Sequence, residues 1–98
     1  MEVNCMKSHT EIQVICHDSS NVMSGQILNY TEYGCEVRSY AKTTGPVFSL
    51  KSDVLLNLLQ LKTKSTMTVS ARLTSSRFEN GFWVYKIKWF QKPPLLDL

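Results

Sequence analysis

The stretch of sequence from 67 to 90 reads MTVSARLTSSRFENGFWVYKIKWF and contains two runs in which apolar and polar residues alternate. A period of two is typical of β-strands with one buried face, because successive side chains in a strand point to opposite sides. Between the runs lies Asn80-Gly81, the pair preferred in type I′ hairpin turns, whose two central residues both need a positive φ. The stretch therefore predicts a long antiparallel hairpin. The apolar positions predicted to face the core are Met67, Val69, Ala71, Leu73, Trp83, Tyr85, Ile87 and Trp89.

Less regular alternation predicts three further strands in the first half of the chain. The first begins near Ile12 and ends at the small polar residues 17–21, whose side chains favour a turn by bonding to nearby backbone groups. The next two strands are predicted at 22–29 and 35–40, and a tight connection joins them. The glycine and proline of the segment 43–46 then mark a further loop.

Periodicity alone leaves residues 52–61 open between a buried strand and an amphipathic helix. In a strand, Val54, Leu56 and Leu58 would face inward, whereas in a helix positions 54, 55, 58 and 59 would share one face. We favour the strand because of a family resemblance that is described below.

The predicted strands and turns together indicate an all-β fold of about six short strands, which is a small antiparallel barrel or sandwich. Chain order leaves a closed barrel, an SH3-like barrel and an OB-like barrel as alternatives. With 98 residues the chain has room for one core, so we predict a single barrel domain over residues 11–91. An N-terminal arm at 1–10 precedes it. A C-terminal tail at 92–98, which begins with two prolines after Lys92, is either a loose end or folds back on the barrel.

Charge and composition argue against several classes of protein. The formal net charge of +3, from 11 basic and 8 acidic residues, is small and dispersed along the sequence, which argues against a nucleic-acid or anionic-membrane partner. No apolar run approaches the roughly 18 residues that a membrane span needs. Residues 1–15 contain no apolar stretch typical of a signal peptide, so we expect a cytoplasmic protein.

The residues that could support catalysis or metal binding are scattered. The three cysteines, Cys5, Cys16 and Cys35, are odd in number and lack the CxxC spacing of metal and redox sites. His9 and His17 have no partner at the spacing that zinc enzymes use. No nucleophile with a base, and no pair of carboxylates, has local support in the sequence. We therefore predict that the protein is not an enzyme and has no metal or cofactor.

The segment 25–37, which reads GQILNYTEYGCEV, carries the functional hypothesis. In it Asn29, Thr31 and Gly34 have the spacing Asn-x-Thr-x-x-Gly. This spacing resembles the Asp/Asn-x-Ser-x-x-Gly signature of the PilZ domain family, with threonine in the position of the usual serine. The Gly-x-Ile that opens the segment is similar to the family's lead-in. Residues 50–61 and the closing hairpin resemble its later strands, so the resemblance spans about residues 10–91.

The resemblance implies a fold and a ligand. PilZ domains are small six-stranded antiparallel β-barrels that bind cyclic di-GMP on their surface. By analogy, Asn29 and Thr31 would form hydrogen bonds to guanine edges and ribose-phosphate oxygens. Gly34 would allow the turn that presents them, because glycine tolerates a positive φ. The resemblance also supports a strand over 52–61.

The sequence departs from the family where the ligand's phosphates would be bound. In PilZ domains an Arg-x-x-x-Arg stretch precedes the motif, and its forked guanidinium groups bind phosphate. The corresponding residues 1–9 contain no arginine here, and Lys7 and His9 are the only basic side chains among them. The candidate substitutes for phosphate contacts are Lys7, Arg38 and Arg72.

Three functional hypotheses follow. The first is a degenerate PilZ-like signalling domain that acts through protein contacts in bacterial second-messenger or motility regulation. The second is a functional cyclic-di-GMP receptor that uses the substitute basic residues. The third is a small OB- or SH3-like nucleic-acid-binding barrel, with Lys86, Lys88 and Lys92 as its basic surface. A structural alternative remains for the motif itself, in which Asn29 and Thr31 only bond to the backbone of their own turn.

Overall fold

The computed structural model describes residues 12–94, which form six antiparallel β-strands closed into a barrel. The strands are β1 (Ile12–His17), β2 (Val22–Tyr30), β3 (Gly34–Ser39), β4 (Asp53–Gln60), β5 (Ser65–Glu79) and β6 (Phe82–Trp89). Their order around the barrel is β1-β2-β3-β6-β5-β4, and β4 pairs with β1 to close it. The predicted all-β, six-stranded antiparallel barrel is therefore confirmed.

The closing hairpin forms as the sequence predicts. Strands β5 and β6 are antiparallel, and the turn between them has φ values of 52° at Asn80 and 86° at Gly81. The first half of β5 pairs with β4 and the second half with β6, so this 15-residue strand belongs to both sides of the barrel. A register shift between Leu73 and Ser75 marks the point where β5 bends.

The ambiguous segment is a strand, β4. Val54, Leu56 and Leu58 are buried in the core, as the strand interpretation predicts, whereas Leu55 is exposed. Both edges of β4 are paired, one with β1 and the other with β5, so its backbone groups are satisfied along its length. The pairing of both edges in the closed barrel therefore explains why this segment is a strand, which its leucine pattern alone does not determine.

The connection from β3 to β4 closes one end of the barrel through Tyr85. Phe48, in this connection, packs edge-on against the Tyr85 ring with their centroids 5.8 Å apart. The Tyr85 hydroxyl oxygen accepts a hydrogen bond of 2.9 Å from the backbone N–H of Val47. Burial raises the pKa of Tyr85 above its usual value, so the hydroxyl stays protonated at neutral pH. Tyr85 thus helps to hold a connection that has no regular structure, together with backbone bonds of Lys51 and Ser52 to Leu73.

The two termini are described only in part. Pro93 is fully buried, so the beginning of the predicted tail folds back against the barrel. The predicted N-terminal arm, with Lys7 and His9, and the remainder of the tail, residues 95–98, lie outside the described residues.

The structure corrects the expected role of Gly34. The only glycine with a positive φ in the described chain is Gly81, so Gly34 is not selected for an unusual backbone angle. Instead, a Cβ at Gly34 would overlap the carbonyl oxygen of Ile87 on β6. Gly25 has the same role on the other side of β3, where a Cβ would overlap the carbonyl oxygen of Arg38. Both glycines allow neighbouring strands to approach closely.

We expect Gly34→Ala to destabilise the barrel by at least about 2 kcal/mol, because the new methyl group would force β3 away from β6. Urea denaturation measures this change in the free energy of unfolding. The matched control is Gly45→Ala, since a Cβ at Gly45 meets no atom within 4 Å. Equal stability of the two variants would contradict the close approach.

A second prediction concerns the contact between Tyr85 and Val47. Tyr85→Phe keeps the ring in the core but leaves the Val47 N–H without its acceptor, which we expect to cost about 1–2 kcal/mol. Thermal unfolding should show a lowered midpoint, and hydrogen exchange should show faster exchange of the Val47 amide. An unchanged exchange rate at that amide would refute the contact.

Candidate functional site

The three residues of the motif line one groove on the outside of the barrel. The groove has a volume of about 640 Å³ and lies over β2, β3 and β6, next to the loop 31–33. The residues that line it are Asn29, Thr31, Tyr33, Gly34, Cys35, Glu36, Thr74, Lys86, Ile87 and Lys88. The structure therefore brings Asn29, Thr31 and Gly34 together with two lysines and one carboxylate.

Thr31 is a turn residue. Its backbone N–H donates to the carbonyl oxygen of Gly34 at 2.8 Å, and its side-chain oxygen accepts the backbone N–H of Tyr33 at 3.0 Å. The structural alternative considered for the motif therefore holds for Thr31. Its hydroxyl still has a proton to donate, because accepting a bond from Tyr33 uses only a lone pair.

Asn29 has a different partner. Its side-chain Nδ2 donates to Glu36 Oε1 across the β2–β3 pair at 3.3 Å, a partner on the neighbouring strand. The register between β2 and β3 shifts between Ile27 and Asn29. The Asn29 side chain therefore lines the groove as part of a polar network that includes Glu36.

The pairing of β3 with β6 explains why two lysines line this groove. Gly34 pairs with Lys88 and Glu36 pairs with Lys86, and paired residues of antiparallel strands point to the same face. Both lysines are exposed. The sequence indicates these lysines only as part of a possible nucleic-acid surface. Their alternation with apolar residues predicts that they face outward, but it does not predict which strand lies beside β6.

Glu36 is the acceptor of the groove's polar network. Arg77 donates to it twice, from Nη1 at 3.0 Å to Oε2 and from Nη2 at 3.2 Å to Oε1. Arg77 Nη2 also donates to Glu79 Oε1 at 3.2 Å. The hydrogen bonds from Arg77, and then that from Asn29, hold the pKa of Glu36 below its usual value, although partial burial opposes them. Glu36 is therefore ionised at neutral pH.

The bond between Glu36 and Arg77 crosses over strand β6. Val84 pairs with Arg38 on one side and with Arg77 on the other, so its side chain shares the outer face with them. Val84 is nonetheless only 1% exposed. The flanking charged side chains cover an apolar residue on the outside of the barrel, which is an ordinary use of arginine stems.

Neither of the described candidate arginines lines the groove. The guanidinium carbon of Arg38 lies 5.7 Å from the centre of the Phe82 ring, and Lys42 Nζ lies 5.3 Å from the same centre. Arg72 Nε donates to Asp53 Oδ1 at 2.8 Å, and its guanidinium lies 5.9 Å from the centre of the Phe90 ring. The third candidate, Lys7, lies outside the described residues.

The fold gathers positive charge that is dispersed in the sequence. Arg38, Lys42, Lys86 and Lys88 all belong to β3, β6 or the connection that follows β3. Among residues 12–94, none of the four forms an ion pair within 4.0 Å. The outer face of β3 and β6 is therefore more basic than the net charge of +3 indicates.

The described cysteines are core residues. Cys16 and Cys35 are buried and free, and burial raises the pKa of the Cys16 thiol to about 12 and that of Cys35 further. Thiols with such pKa values are poor nucleophiles and metal ligands at neutral pH. Within the described part of the chain, no three His, Cys, Asp or Glu side chains come together as a metal site requires. That same part contains no helix long and apolar enough to cross a membrane.

Comparison of the chain with protein-family models, with curated proteins and with solved structures gave no match. The family resemblance therefore rests on the Asn-x-Thr-x-x-Gly spacing and its strand context alone.

The lowered pKa of Glu36 predicts a pH dependence of stability. Its folded-state pKa lies below its unfolded value, so its contribution is present above the unfolded pKa and is lost as the pH falls through the folded one. We expect the wild type to lose more stability than Glu36→Gln between about pH 5 and pH 3. Urea denaturation across this range measures the difference. Glu32→Gln, at an exposed carboxylate, is the control and should follow the wild type. Parallel curves for the wild type and Glu36→Gln would contradict the assignment.

Proposed function

We propose that this chain is a PilZ-like binding domain that takes an anionic dinucleotide, cyclic di-GMP, in the groove over β2, β3 and β6, in a signalling role. The observation that carries the proposal is the convergence of Asn29, Thr31 and Gly34 with Lys86 and Lys88 around one groove. A cyclic dinucleotide offers two phosphates and two base edges, which match lysine ammonium groups and short polar side chains.

The lysines replace the absent arginines in this proposal. An ammonium group binds phosphate as a point charge, without the planar fork that allows a guanidinium to make two parallel hydrogen bonds. Lys86 and Lys88 are exposed and flexible, so ordering them on a ligand costs side-chain entropy. We therefore expect weaker binding than by a site with the two arginines.

The third hypothesis, a nucleic-acid-binding barrel, has less support. Single-stranded nucleic acid is bound by exposed aromatic side chains that lie among basic ones. On β6 the lysines face outward while Tyr85 and Trp89 are buried in the core, as the sequence predicts. The two rings that alternate with the lysines are therefore buried, and the aromatic side chains beside basic groups include Tyr33, which lines the groove, and Phe82, near Arg38 and Lys42.

Signalling through protein contacts is the second candidate function, and the end of the closing hairpin favours it. Phe78 is 59% exposed, and its ring centroid lies 5.5 Å from that of the half-buried Trp83, with the two rings tilted by 60°. An exposed large aromatic ring is typical of protein interfaces. Phe78 follows Arg77 directly in β5, so its side chain points to the opposite face of the strand from the groove's polar network.

The ligand proposal is tested by isothermal titration calorimetry with cyclic di-GMP. We expect wild-type binding in the micromolar range, with Lys86→Ala, Lys88→Ala and Asn29→Ala each weakening it by about five- to twentyfold. Lys7→Ala should also weaken it.

Lys62→Ala is the matched control, because Lys62 is an exposed lysine in the β4–β5 connection and does not line the groove. It should bind as the wild type does. The absence of heat and of any thermal shift at high micromolar ligand would refute the proposal. If the ligand binds but none of the groove variants weakens its binding, the binding site lies outside the groove.

A further inference from the structure

We infer that Glu36 occupies the anion position of the groove and that Arg77, which it holds, is the guanidinium that binds a ligand phosphate when this carboxylate is displaced or neutral. The inference rests on the proposed function, and it identifies the residues that set the affinity of the same site. Glu36 lowers that affinity. Arg77 does not itself line the groove, but it donates to Glu36, which does, and so supplies the fork that residues 1–9 lack.

The geometry around Glu36 is that of a bound anion. Three side-chain donors converge on its two oxygens: Arg77 Nη1 at 3.0 Å, Arg77 Nη2 at 3.2 Å and Asn29 Nδ2 at 3.3 Å. A bidentate guanidinium with a neighbouring amide donor is also a typical arrangement around a phosphate. The carboxylate is therefore an internal competitor for the donors that an entering phosphate requires.

Glu36 is also well placed to oppose an anionic ligand electrostatically. It lines the groove, and its side chain is only 17% exposed, so solvent screens its charge less than that of a surface carboxylate. Lys86 pairs with it in register and lies close enough to lower the pKa of Glu36. Part of the attraction that Lys86 offers to a phosphate is therefore cancelled by its neighbour.

Arg77 remains anchored when Glu36 releases it. Glu79 accepts a separate hydrogen bond from Arg77 Nη2 at 3.2 Å, and Glu79 does not line the groove. The arginine side chain is 44% exposed, so it has room to change rotamer. Glu79 thus holds the guanidinium beside the groove while its Nη1 edge becomes available to a ligand.

A purely structural role for the Glu36–Arg77 pair is the alternative, since the pair links β3 to β5 over Val84. The two roles differ in what removal of Glu36 does to binding. A structural clamp predicts equal or weaker binding, whereas an internal competitor predicts tighter binding that depends on Arg77.

The experiment measures the Kd of fluorescently labelled cyclic di-GMP for the wild type and for Glu36→Gln, both checked for folding by thermal unfolding. We expect Glu36→Gln to bind about tenfold tighter. Glu32→Gln is the matched control, because it removes one exposed carboxylate charge from the loop 31–33 and does not line the groove. Its Kd should stay within about twofold of the wild type. In the double variant Glu36→Gln/Arg77→Gln, the gain should disappear.

A phosphate-free probe separates the contribution of Arg77 from that of the bases. Guanosine should show no gain with Glu36→Gln, since it offers no phosphate to the guanidinium. A gain that Glu32→Gln reproduces, or that survives Arg77→Gln, would overturn the inference in favour of general charge effects.

The remaining outcomes distinguish the two proposals. If the wild type binds and Glu36→Gln binds no tighter, the inference fails and the proposed function stands. If only Glu36→Gln binds, the proposed function fails for the wild type, whereas the inference stands for the groove, which its own carboxylate then holds inactive. If neither folded protein binds, both proposals fail.

Discussion

The close pairing of β3 with β6 is the constraint on which the rest of the structure depends. It is one of the two seams that join the first three strands to the last three and leave the barrel without a free edge. The seam closes because Gly34 has no side chain to meet the Ile87 carbonyl group. The same pairing sets Lys88 opposite Gly34 and Lys86 opposite Glu36, so the composition of the groove is a product of the register that closes the barrel.

Much of the fold follows from short-range signals in the sequence, whereas the composition of the groove depends on long-range register. Alternation and Asn80-Gly81 predict the hairpin because strand periodicity and turn conformation are local properties. The partner of Glu36 is not local, since Arg77 lies 41 positions later in the chain. Gly34 was assigned the wrong physical role because a sequence shows a glycine without showing which backbone approaches it.

The groove combines charges of both signs, and this balance distinguishes it from a plain basic patch. Lysines on β6 attract an anion, whereas Glu36 on β3 repels one and already accepts the hydrogen bonds of Arg77 and Asn29. A carboxylate in such a place is tolerated because Arg77 and Asn29 compensate its partial burial. The polar network therefore stabilises the groove through its own side chains, and any anionic ligand has to offer stronger interactions than the network already provides.

The three positions of the motif differ in what they reveal about a chain. The close contact between the β3 and β6 backbones requires a glycine at position 34. A related protein that no longer binds any ligand would therefore still retain this glycine as long as its barrel remained intact. The Thr31 side chain accepts a hydrogen bond within its own turn, whereas the Asn29 side chain donates to Glu36, which lines the groove. Substitution of Asn29 in a related sequence would therefore indicate the loss of a ligand, whereas retention of Gly34 would indicate only that the barrel is preserved.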